Sequence, residues 1–141
     1  MKKFLFLPLL LITCLSFAQN AKEIIGEPIK IGNLLVAEYD FPEAMNWNDA
    51  KKSCTALGKG WRLPTKSELN ILYNNRRKMG NVSDWEGYWT SSAVPSRLWD
   101  PKWTAAEIGE GIAWRQYFTS GIQGYASMSN DKCVVRAVKL L

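Results

Sequence analysis

The chain has 141 residues, 47% of them hydrophobic and 22% charged, with a formal net charge of +5 at pH 7. That is one domain's length, with enough apolar content for a core, and its interspersed charges argue against a nucleic-acid partner. It contains no histidine, which removes the commonest general base and metal ligand together, and with them a Ser-His-Asp triad or the usual zinc sites.

The first eighteen residues read as a signal peptide. Lys2 and Lys3 precede an uncharged run from Phe4 to Phe17, and Ser16-Phe17-Ala18 places small residues three and one before a cut. The run is shorter than the ~20 residues of a spanning helix, so no transmembrane segment is expected in the mature chain. Leu11-Ile12-Thr13-Cys14 is similar to a lipoprotein box, but Thr13 departs from the usual small residue there. Cleavage after Ala18 is the preferred reading. The protein is then exported to the periplasm, the cell surface or the medium, and acylation of Cys14 is the alternative.

Residues 19–33 are polar around Pro28 and read as a tether, so the folded domain is expected over 34–141. Leu34 to Phe41 reads as a strand closed by Pro42. Asn46 can cap a helix on which Trp47, Ala50, Cys54 and Leu57 share one face, ended by Gly58 and Gly60. Thr65 and Glu68 spell a capping box for a second helix, with Leu69, Leu72 and Tyr73 as its apolar stripe and Gly80 as its stop. Beyond Val82 the pattern changes to short strands: Tyr88–Ser92, Ile112–Phe118 after the Gly109-Glu110-Gly111 turn, and Cys133–Val138. Residues 93–103 read as a loop. Strand, two helices and an antiparallel meander make an α+β domain.

Two cysteines, Cys54 and Cys133, lie beyond the leader. In an oxidising compartment they read as one disulfide, with two buried thiols as the alternative.

Asn46-Trp47-Asn48-Asp49-Ala50 through Cys54 to Leu57-Gly58 looks like the first helix of C-type lectin-like domains. Trp61-Arg62-Leu63-Pro64-Thr65, Tyr88-Trp89-Thr90-Ser91-Ser92, Ala113-Trp114 and Val135-Arg136-Ala137-Val138 follow in order. Together they resemble the C-terminal domain family of the Legionella collagen-like adhesin, and also the Fibrobacter major paralogous domains. The resemblance implies a C-type lectin-like fold, two helices packed on a curled antiparallel sheet with the chain ends close together. It also implies a bridge from Cys54 to the last strand. The family often has Cys where this chain has Ala137, so Cys133 would have to serve from about 13 Å further back along the strand.

Trp47, Trp61, Thr65, Glu68, Trp89, Trp114 and Arg136 are expected to be structural, the tryptophans as core aromatics and Arg136 with Glu68 as its internal partner. Calcium-dependent sugar binding is not expected: the family's Pro-centred tripeptide is missing, Trp47-Asn48-Asp49 falls in the first helix, and Asn130-Asp131 stands alone. No catalytic residues, cofactor or metal are assigned. The candidate binding surface is the 93–104 loop, where Trp99 and Trp103 supply flat apolar platforms flanked by Arg97, Asp100 and Lys102. Two readings of those tryptophans stay open, an exposed platform or a plug folded onto the sheet. The expected function is an exported adhesion or carbohydrate-binding module for a surface glycan, glycosaminoglycan, matrix component or protein. A structural component of a cell-envelope assembly is the alternative.

Overall fold

The computed structural model describes residues 19–84 and 86–141; the expected signal peptide and Cys14 lie outside them. Residues 19–25 are helical and form α1. Short β1 (Ile29–Ile31) and β2 (Leu34–Val36) follow, then α2 (Trp47–Ala56), α3 (Lys66–Asn74) and one-turn α4 (Arg76–Met79). β3 (Gly87–Ala93), a 3-10 turn at Ser96–Leu98, α5 (Ala105–Ile108), β4 (Ile112–Tyr117), β5 (Gln123–Ser127) and β6 (Val138–Leu140) complete the order.

The strands form two antiparallel sheets, β1-β2-β6 and β3-β4-β5. Because β2 lies between β1 and β6, the first and last described strands share a sheet, and the Leu141 N–H donates to the Asn33 carbonyl at 3.0 Å. The stretch expected as a tether is therefore part of the fold. Ile31 pairs with Leu34, and Ile24 and Ile31 are both buried. The polar composition around Pro28 had hidden those two anchors.

The expected last strand, 133–138, is instead a seam between the two sheets. Cys133 bridges to Met45, Val134 to Tyr88 and Val138 to Arg62, while the Val135 and Ala137 carbonyls accept from Phe41 and Ala37 at 3.0 Å each. Spread over so many partners, it forms no continuous ladder until β6. The same seam shortens the expected 34–41 strand to Leu34–Val36.

The helices follow their local chemistry. Asn46 Oδ1 accepts from the Asp49 N–H at 2.9 Å, and α2 buries Ala50 and Cys54. The Thr65 capping box is complete, Thr65 Oγ1 accepting from Glu68 N and a Glu68 carboxylate oxygen accepting from Thr65 N. Ser92 Oγ takes the Lys66 N–H at 3.0 Å, so the start of α3 is stitched to β3. A register shift between Trp89 and Ala93 lets β3 reach it. The second helix breaks at Asn75 instead of running to Gly80, because the Asn75 side chain competes for the Ile71 carbonyl at 2.9 Å.

Candidate functional site

The predicted loop separates its two tryptophans. Trp99 is half-buried and donates its Nε1–H to the Val94 carbonyl at 3.0 Å, which ties the loop back to the end of β3. Arg97, Asp100 and Lys102 are exposed, and Asp100 Oδ1 accepts the Lys102 N–H at 2.9 Å. Trp103, also half-buried, meets the Tyr125 ring edge-on with centroids 5.9 Å apart. Trp99 holds the loop, and Trp103 forms a wall.

That wall continues across the second sheet. Tyr125 of β5 stands directly opposite Trp114 of β4, so their side chains share a face, and their rings lie 4.5 Å apart. Lys66 Nζ sits 3.4 Å from the Trp114 ring centroid, a cation–π contact placed by the capped start of α3. Trp114 was expected in the core, but it is only half-buried on this outer face. Trp89 and Trp61 do belong to the core, at 0% and 8% exposure. Tyr125, 40% exposed, was missed. Gln123-Gly124-Tyr125 offers only a faint alternation, with a glycine in the middle of the strand.

Between the loop and β5 lies a cleft of about 180 Å³ lined by Trp103, Glu107, Tyr125, Ser127 and Asp131 among others. Glu107 completes a capping box with Thr104, one carboxylate oxygen accepting the Thr104 N–H at 2.7 Å. Asp131 Oδ2 accepts the Ser127 N–H at 2.7 Å. A larger cleft, about 280 Å³ and mostly apolar, lies where Ile24 of α1 faces Phe41 and Leu57.

Two expected pairings are corrected. Arg136 pairs with Asp40 and not with Glu68. Glu68 is taken by Arg62 in a two-pronged contact of 2.7 and 2.8 Å, six residues away and on the same end of α3. The Arg62 guanidinium holds the Glu68 carboxyl below the usual carboxylate range.

Cys54 and Cys133 are both buried as free thiols, in one core cluster, where a disulfide was expected. Ala137, the position at which the resembling family often has Cys, is buried in that same cluster. Cys133, four residues earlier, is tied through its backbone to Met45, each residue's N–H donating to the other's carbonyl at 3.1 Å. Burial pushes the thiols up, Cys54 to about 12 and Cys133 to about 11. Among the described residues, no group of three or more acidic, cysteine or histidine side chains gathers as a metal site, and no helix is long and apolar enough to cross a membrane.

The fold is C-type lectin-like. Botrocetin matches with a TM-score of 0.61 at 14% identity, over 82% of this chain and 98% of botrocetin. The snake venom toxin convulxin matches at 0.59 and 16% identity, over 82% of this chain and 96% of its own. EMS16, an antagonist of the collagen receptor integrin α2β1, matches at 0.57 and 11%, over 81% and 97%. At these identities the likeness is one of fold. No protein-family model matches the sequence, and no curated protein sequence matches it.

Proposed function

We propose that the chain is an exported, calcium-independent binding module of the adhesion type, related to the Legionella collagen-like adhesin domains that its motifs resemble. It engages a protein, matrix component or surface glycan through the face of Trp103, Tyr125 and Trp114, bounded by the 93–104 loop. The observation that carries this reading is that row of partly exposed aromatic side chains on the outer sheet face, in a domain whose Trp61 and Trp89 are packed away. Half-exposed aromatic rings with a polar rim are the usual anchors of recognition surfaces. The leader supports export. A binding role, not a catalytic one, is supported by a chain without histidine whose described thiols are buried and held neutral. Two of the structural neighbours point the same way: botrocetin has been solved in complex with the von Willebrand factor A1 domain, and EMS16 is an integrin antagonist.

The test is an array of matrix proteins, glycans and glycosaminoglycans probed with the 19–141 protein, with and without EDTA. Binding should survive chelation and fall at least tenfold in Tyr125→Ala, with the melting temperature within about 3 °C of the parent, since Tyr125 is substantially exposed. Array binding that Tyr125→Ala leaves untouched would remove this face from consideration.

A further inference from the structure

The cleft beside β5 has a definite chemistry. Its aromatic walls, Trp103 and Tyr125, present π-systems that attract a cation. Its carboxylates, Glu107 and Asp131, each give one oxygen to a backbone N–H. Their remaining oxygens, Oε1 and Oδ1, take no hydrogen bond among the described residues, and no lysine or arginine there pairs with either carboxylate. At about 180 Å³ the space is below the roughly 300–1,000 Å³ of a small-molecule pocket, so it suits a single side chain.

The strand beside it supplies the second half of the argument. Among the described residues β5 pairs only with β4, and its other edge takes no further strand there. The backbone bonds flanking the ladder, Tyr117 N–H to Ile122 and Met128 N–H to Gly111, fix its phase. By alternation, Ala126 and Gly124 bond inward to β4, and Gln123, Tyr125 and Ser127 turn their backbone groups outward. The Ser127 N–H is already held by Asp131. The outward groups of Gln123 and Tyr125 remain for a new strand, next to the cleft.

Resting on the binding face proposed above, we infer that its partner is a protein, which adds an extended segment to the β5 edge at Gln123 and Tyr125 and places a lysine or arginine side chain in the cleft between Trp103, Tyr125, Glu107 and Asp131. Backbone pairing supplies affinity in this mode, and the pocket supplies specificity. The charge is opposite to the acidic ligand that Arg97 and Lys102 alone would favour.

Two capped pentapeptides of alternating threonine and valine, one with lysine at its centre and one with glutamate, test this by tryptophan fluorescence titration. The lysine peptide should bind at least tenfold more tightly than the glutamate peptide, and its affinity should fall with salt. Glu107→Gln with Asp131→Asn keeps the backbone acceptors and removes the charges. That double variant should melt like the parent and lose tenfold or more for the lysine peptide. Methylating alternate peptide amides should weaken binding at least fivefold if a strand is added. Equal binding of the two peptides, or full affinity in the amide variant, overturns the proposal. If the peptides fail while an array ligand is still lost in Tyr125→Ala, the binding face stands and the cationic partner falls.

Discussion

Arg136 buries a full charge, its side chain having 0% exposure, and every arm of the guanidinium is engaged. Nε reaches Asp40, Nη1 donates to the Ala37 and Glu38 carbonyls at 3.0 and 2.8 Å, and Nη2 to the Asn81 carbonyl at 3.0 Å. The Tyr88 hydroxyl donates to the other Asp40 oxygen at 2.7 Å and accepts the Ser83 N–H. A buried charge persists only when satisfied in this way. The cysteines show the reverse case, polar groups kept inert. Their thiols are shielded, and burial pushes the Cys54 value up to about 12, so almost no thiolate exists at pH 8. The native 19–141 protein should therefore resist iodoacetamide at that pH, and once denatured it should take two labels, at Cys54 and Cys133, without any reductant. Labelling that appears only after reduction would mean that the bridge forms after all.

At the scale of elements, the two main helices were legible because their end signals are local. Asn46, Thr65 and Glu68 act within three residues of themselves, and the apolar positions Ala50, Cys54, Leu69 and Leu72 follow the helical period into the core. What the sequence could not reveal depends on distant partners. Arg136 shows a buried charge by its apolar neighbours, but Asp40 lies 96 residues away. β5 was not read because Gln-Gly-Tyr-Ala-Ser is weak as a strand alone, and β4 holds it in place. Of the proposed binding face, Trp103 was visible as a loop aromatic, while Trp114 looked like core because its block sits among scaffold residues. The α3 start carries its own prediction. Since Arg62 depresses the folded-state value of Glu68, the pair's contribution is present above the unfolded value of about 4.3 and lost as pH falls through the lower folded one. Glu68→Gln should cost about 1 kcal/mol at pH 7, the upper end for a partly exposed pair, or roughly 3 °C. The gap should narrow as pH falls below the unfolded value and close once the parent's carboxyl is also neutral. A gap independent of pH would assign the loss to packing or the cap.

For the molecule as a whole, the decisive question is where the folding unit begins. Sequence composition put the boundary at residue 34, leaving 19–33 as a tether, but the structure closes the first sheet and one flank of the core with that stretch. β1 pairs along all three residues of β2, from Ile29 opposite Val36 to Ile31 opposite Leu34. α1 is fastened by the Glu38 and Tyr39 N–H groups, which donate to the Ile25 and Ile24 carbonyls at 3.0 and 3.2 Å. Ile24 and Ile31 are 9% and 4% exposed, each beneath residues of a different core cluster. Burying an isoleucine contributes about 1.5–3 kcal/mol, so the two anchors together supply roughly 3–6 kcal/mol. Set against the ~5–15 kcal/mol that holds a typical domain together, that loss is severe. Removing residues 19–33 also strips one partner from β2 and uncovers Val36, which is 0% exposed in the intact fold. A chain beginning at Leu34 should therefore show a urea midpoint lower by 1 M or more, or fail to fold, beside the 19–141 protein under the same conditions. Because the Trp103–Tyr125–Trp114 contacts and the Lys66 ammonium over Trp114 draw on no residue of 19–33, any folded fraction of the shortened chain should keep the proposed binding face. Equal midpoints for the two chains would restore the tether and confine the folding unit to 34–141.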